Sequence, residues 1–267
     1  MKEQHMGKRE QHRIAIFPLL TLMGVILLGG CDSDTSEDMA TSDIRATLDV
    51  ETYGDGSATV HADLARASSG FFDSTYIELI CPDMLTTSSS TQPGSKVMRQ
   101  SQSAVGKIYY YAYLDGVAGD TFTVSLLRDE SHVSADSSSV IMPDDFTITA
   151  PAAGSSFARN TQDLIINWDV TGDNVAISAS GPCIDSYSLS GLTDNGSHTI
   201  EAGTLVYVEY PEPGDPNYQG GAPFIDQSTC GIEITVSKYQ TGTLDSAFNS
   251  GSFTAYNRRE ISLNTSY

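Results

Sequence analysis

The chain has 267 residues, with 14 basic and 34 acidic side chains, a formal net charge of −20 and 39% apolar residues. Such a charge repels nucleic acid and anionic lipid headgroups, which excludes both as direct ligands, and favours solubility and cationic partners. Lys and Glu are scarce beside Ser, Thr, Gly and Asp, and Val, Ile, Tyr and Phe fill many apolar positions, a composition of strands.

Lys2, Lys8, Arg9 and Arg13 precede an apolar stretch from Ile14 to Leu28. About 15 residues is too short for a relaxed transmembrane helix and fits the apolar region of a signal peptide. A membrane-spanning helix and ordinary secretion are the alternatives. The run Leu28-Gly29-Gly30-Cys31 resembles the lipobox of bacterial lipoproteins. That resemblance implies a signal peptide over 1–30, acylation of Cys31 (palmitate included) and a membrane anchor facing the periplasm of a bacterial cell envelope. Asp32 resembles the inner-membrane retention signal of enteric bacteria, with the outer membrane as the other destination. Cleavage before Cys31 removes four basic and two acidic residues, leaving a net charge of −22.

Residues 31–43 are acidic, small and without an apolar period, and are expected as a flexible solvated tether. Period-two alternation begins at Ile44, with Ala46, Leu48 and Val50 on one face. After Gly54-Asp55-Gly56 it resumes at Ala58, Val60, Ala62 and Leu64, which predicts an antiparallel hairpin. Further strands are expected over 76–81, 107–114 and 121–127, with 85–95 as a Ser/Thr-rich loop. Met142-Pro143-Asp144-Asp145 marks a boundary between a first domain over 44–142 and a second over 145–267. In the second, strands are expected over 146–151, 163–168, 174–180, 187–192, 197–201, 205–210, 230–239 and 252–263. This spacing predicts an all-β chain of two antiparallel β-sandwiches in tandem.

The run Phe146-x-Ile148-x-x-Pro151-x-x-Gly154, the strand Leu164-x-Ile166-x-Trp168 and the run from Asp194 to Gly203 resemble immunoglobulin-like or fibronectin type III-like domains of bacterial surface proteins. The whole resembles uncharacterised two-module lipoproteins. The resemblance implies that Trp168 is a core residue on an inner strand.

In an oxidising compartment Cys183 and Cys230, each beside a predicted strand of one domain, form the natural disulfide pair. Cys81, at the end of the predicted strand 76–81, is expected as a packed free thiol. His61, His132 and His198 are far apart, and no nucleophile elbow, metalloprotease helix or phosphate loop occurs, so no enzyme and no resident cofactor are expected. Asp144, Asp145, Asp169, Asp173 and Asp194 lie near turns where Ca²⁺ could bind, although solvated turns explain them as well.

Two features point to binding. Tyr109, Tyr111 and Tyr113 share one face of a strand, either as an exposed stripe that could stack on sugars or a protein, or packed between sheets. The Pro/Gly-rich stretch 209–228 carries Tyr210, Tyr218 and Phe224 in what is expected as a long exposed loop. The expectation is a lipid-anchored binding or structural module of the envelope, with an envelope protein or glycan as partner. A carbohydrate-binding adhesin-like lipoprotein is the alternative, and an enzyme with a distributed site the third reading.

Overall fold

The computed structural model describes residues 33–67, 75–104, 106–169, 172–205 and 229–266. Cys31, the leader before it and the segment 206–228 lie outside the described residues. The described residues are built from strands, with two short 3-10 turns among them over 36–38 and 41–43.

The hairpin β2 (Ile44–Thr52) and β3 (Ser57–Arg66) forms in the register that the alternation requires, pairing Val50 with Val60, Leu48 with Ala62 and Ala46 with Leu64. All six are buried, each apolar position worth roughly 1–3 kcal/mol of burial. Short β1 (Ser33–Thr35) runs parallel to β4 (Tyr76–Glu78), which pairs with the end of β3. Beyond β3 lie β8 (Ile108–Asp115) and, at the edge, β7 (Arg99–Gln102). A second sheet, in the order β10 (Ala135–Ile141), β9 (Thr121–Leu127), β5 (Met84–Ser89), β6 (Lys96–Val97), closes the first sandwich. Leu85, Phe122, Val124, Leu126 and Val140 from this sheet join Leu48, Val60 and Tyr110 in one core.

The second sandwich has β11 (Ile148–Ala150), β13 (Leu164–Trp168) and β16 (Ser197–Ile200) as one sheet, in that order. Facing it are β15 (Tyr187–Thr193), β14 (Asn174–Ser180), β17 (Thr229–Thr241) and β18 (Ser250–Ser266). With the short β12 (Ser156–Ala158) set aside, β11, β13 and β16 thus oppose β14, β17 and β18, the partition of an immunoglobulin-like sandwich, with β15 beside β14. β12 itself adds in parallel to β18. Its core holds Phe146, Ile166, Trp168, Ile177, Ile234 and Leu263.

The two sandwiches share strands. The first half of β18 pairs in parallel with β2, from Ser250 with Arg45 to Asn257 with Thr52, while its whole length from Thr254 on pairs with β17. Phe248, Phe253 and Ala255 consequently sit in the first core, although the sequence places them after the boundary. Between the cores β17 and β18 change character. Lys238, Asn257 and Arg259 replace apolar residues on the inward side, and Asn257 Nδ2 donates to the carbonyls of Pro143 and Asp144 at 3.3 and 3.1 Å.

Three expectations are corrected. The stretch 33–43 is not a solvated tether: Ser36, Met39 and Thr41 are buried while Glu37 and Asp38 stay exposed. The cause is Arg128, whose buried guanidinium donates to the carbonyls of Ser36 and Met39 and to Thr41 Oγ1, and pairs with Asp83 at 2.9 Å. Cys81 is exposed, because β4 ends at Glu78 and Cys81 falls in the turn closed by Asp83 N–H on Ile80 O at 2.9 Å. The first half of the predicted loop 85–95 is β5, a strand despite its Thr and Ser. Its hydroxyls are satisfied inward, Thr87 donating to Thr123 O and Ser89 to Asp115 O.

Candidate functional site

Strand alternation divides β8 cleanly. Ile108, Tyr110, Ala112 and Leu114 are buried, and Tyr109, Tyr111 and Tyr113 stand on the opposite side, Tyr113 with 60% of its surface exposed. The tyrosine stripe is therefore the solvent face, and packing between sheets is ruled out for it. Tyr110 alone points inward: its hydroxyl donates to Ile77 O at 3.0 Å and accepts from Leu79 N–H at 2.8 Å, and burial pushes its pKa up to about 12. This fixes the strand's rotation and hence the outward direction of its neighbours.

Successive outward rings lie 6.2 Å apart at 38° (Tyr109 and Tyr111) and 5.7 Å apart at 71° (Tyr111 and Tyr113). Across the sheet, Tyr111 is beside His61, His61 beside Asp49 and Asp49 beside Thr254. The next row runs Tyr113, Thr59, Glu51, Tyr256, Tyr239. Two aromatic rails, on β8 and on β18 with β17, thus flank a polar floor supplied by β3 and β2. Tyr239 and Tyr256 are 6.0 Å apart, and the Arg258 guanidinium lies 5.0 Å over the Tyr256 ring.

Charges on the floor are mostly matched. Lys107 pairs with Asp63 at 2.5 Å and Arg258 with Glu51 at 3.3 Å. Asp49 has no ion-pair partner among the described residues; burial raises its pKa, and Glu51 and Asp63 add to the rise. A cleft of about 90 Å³ at the edge is lined by Lys96, Val97, Arg99, Tyr111, Ala112 and Tyr113. Enclosed small-molecule sites run to about 300 Å³ or more, so this face is an open platform.

Of the other residues singled out by sequence, Cys183 and Cys230 form a disulfide with Cα atoms 6.1 Å apart, 47 residues apart in sequence. Tyr210, Tyr218 and Phe224 lie outside the described residues, as does Cys31. Trp168 is buried, and its indole N–H donates to Asp194 Oδ1 at 2.6 Å. Asp194 is itself enclosed, pairing through Oδ2 with the fully buried Lys238 at 3.1 Å. Burial opposes its ionisation, but hydrogen bonds from Trp168, Lys238 and Gly196 outweigh burial and lower its pKa.

The acidic turn residues do not converge. Asp145 pairs with Arg259, Asp169 accepts from Thr147 N–H, and Asp173 accepts from Gln240. No group of three or more His, Cys, Asp or Glu poised for a metal occurs among the described residues. The histidines are likewise separate. His132 Nδ1 lies 2.9 Å from Ser131 Oγ and 3.0 Å from Asp129 Oδ1, so hydroxyl and carboxylate meet the same ring nitrogen. A relay needs them on opposite nitrogens. The Ser131 hydroxyl, then His132, hold the exposed Asp129 carboxyl down to about 2.

Of this face, the tyrosine rail on β8 is evident from the sequence and the polar floor is not among the expected site residues. Thr47, Asp49 and Glu51 occupy the polar positions of the β2 alternation, so that signal was readable in the residues between the apolar ones. Tyr256 carried no such signal, because only the parallel docking of β18 on β2 brings it to the face.

No family model matches the chain, and no curated protein matches it. Among solved structures it is similar to a two-domain fibronectin type III segment from chicken tenascin, at 11% identity and a TM-score of 0.21, over 84% of this chain and 100% of that one. At that level the fold rests on the strand order described above.

Proposed function

We propose that the chain is a non-catalytic binding or structural module of the bacterial cell envelope, anchored through acyl chains on Cys31 and using the outward sheet face as its contact surface. The observation that carries the binding role is the outward tyrosine stripe, held in place by the inward Tyr110. Exposed tyrosines combine rigid apolar area with a polar tip, the combination that suits recognition.

The anchor rests on the lipobox. With β1 starting at Ser33, two residues after Cys31, an acylated chain would hold the domain within roughly 7 Å of the attachment point. The module then rests on its membrane instead of reaching from it. Asp32 favours the inner membrane.

Two measurements test the reading. Cells fed a labelled palmitate analogue should label the wild-type protein but not Cys31→Ser, which should move to the soluble periplasmic fraction. Equal labelling of both would overturn the anchor. A photo-crosslinking amino acid at position 113 should give adducts in living cells, and one at the still more exposed Val133, in a loop of the first sandwich, should not. The absence of adducts of any kind at 113 would count against the contact surface.

A further inference from the structure

The arrangement of the face narrows the class of its ligand, an inference that rests on the binding-module reading. The cores of protein–protein interfaces are depleted in charge and centred on apolar anchors. Here the centre is polar, occupied by Thr59, His61, Asp49 and Glu51, and the aromatic rings stand at the sides. Three strand steps separate β8 from β18, so the rails are roughly 14 Å apart at ~4.8 Å per step. A polyhydroxylated chain meets both requirements, since its rings offer apolar faces to tyrosine and its hydroxyls can bond to the floor.

Charge and ring geometry narrow it further. Asp63 and Glu51 are already paired with Lys107 and Arg258, which leaves one carboxylate of the floor, Asp49, without an ion-pair partner among the described residues. The net charge of −20 repels an anionic ligand. Rings tilted by 38° and 71° share no common plane, which does not suit a flat crystalline surface and does suit a single twisted chain. Asp49, at the centre, offers carboxylate oxygens as acceptors for hydroxyls.

We propose that this face binds a single neutral glycan chain laid across the strands. Tyr111 and Tyr113 stack on its sugar rings, His61 and Asp49 bond its hydroxyls, and Tyr256 walls the far side.

The test is titration calorimetry of the full-length protein in neutral detergent against maltohexaose, cellohexaose and chitohexaose. At least one should bind saturably. Tyr111→Ala and Asp49→Ala should each weaken it about tenfold or more, Tyr111→Phe should retain it, and Thr59→Lys should abolish it. Thr59 is a surface position, so folding can be verified by an unchanged melting temperature. Absence of binding by all three sugars, or binding indifferent to Tyr111→Ala and Thr59→Lys, would overturn the inference. If the sugars fail while the probe at 113 captures an envelope protein, the glycan is wrong and the binding module stands. If both fail, both are wrong.

Discussion

Asp194 belongs to an almost fully enclosed ion pair in the second sandwich. Its side chain is 1% exposed and faces a lysine with none exposed, whose Nζ lies over the Phe146 ring at 5.1 Å from its centroid. Neutralising one member of so enclosed a pair removes attraction in a low-dielectric site, at a cost of up to about 3–5 kcal/mol. Asp194→Asn keeps an acceptor for Trp168 and Gly196 N–H but removes the carboxylate that Lys238 faces at 3.1 Å. The folded pKa of Asp194 is lowered, so its contribution is fully present above the unfolded carboxylate value near 4 and is lost as pH falls through the folded value. Urea unfolding should therefore show a large deficit for Asp194→Asn at pH 7 that narrows steadily on acidification below about pH 4. A deficit constant down to pH 2.5 would mean that packing, not ionisation, makes this carboxylate matter.

At the scale of elements, the strands that alternate strictly were legible and those that do not were not. Ile44 to Val50 and Ala58 to Leu64 announce both their type and their buried face, and the observed register follows. Ile108 to Leu114 announces its type but not its buried face, because tyrosines alternate with apolar residues and only the inward hydrogen bonds of Tyr110 decide between the two sides. β5 was hidden because Thr86, Thr87 and Ser89 are buried hydroxyl residues, and the partners of Thr87 and Ser89 are distant carbonyls that no local pattern reveals. The stretch 33–43 was hidden because the Arg128 that orders it lies about 90 residues away. Half of the candidate site was legible for the same reason: Tyr111 and Asp49 sit in alternating strands, whereas Tyr256 arrives through a long-range parallel pairing. That pairing has a pivot at Gly251, where φ is +136° and a Cβ would stand 1.7 Å from Ala46 O. No L side chain fits there without moving the backbone of β2 or β18. Gly251→Ala should thus cost about 3 kcal/mol or more in urea unfolding, with Gly94→Ala, which meets nothing within 4 Å, changing stability by less than ~0.5 kcal/mol. Equal effects at the two positions would show that β18 does not dock on β2 in this register.

At the scale of the molecule, the shared strands decide how the two halves unfold. Two sandwiches joined only by a linker would melt independently. Here β18 contributes Phe253 and Ala255 to one core and Leu263 to the other without interruption, and β17 pairs with it through the polar joint at Lys238 and Asn257. Melting the first core frees the leading half of β18 from β2, and with it the inward layer in which Asn257 holds the carbonyls of Pro143 and Asp144 and Arg259 holds Asp145. The second core then loses the cover of Phe146, over whose ring Arg259 lies at 5.3 Å. Neither half can open without exposing part of the other, so calorimetry of the full-length protein should show one transition. Leu48→Ala in the first core and Ile234→Ala in the second each remove a fully buried side chain, at about 2–5 kcal/mol. For a chain of this size each should lower that same transition by roughly 5–15 °C. Two resolved transitions, each responding to one substitution alone, would show that the strands are shared in space but not in energy, and that each sandwich carries its own stability.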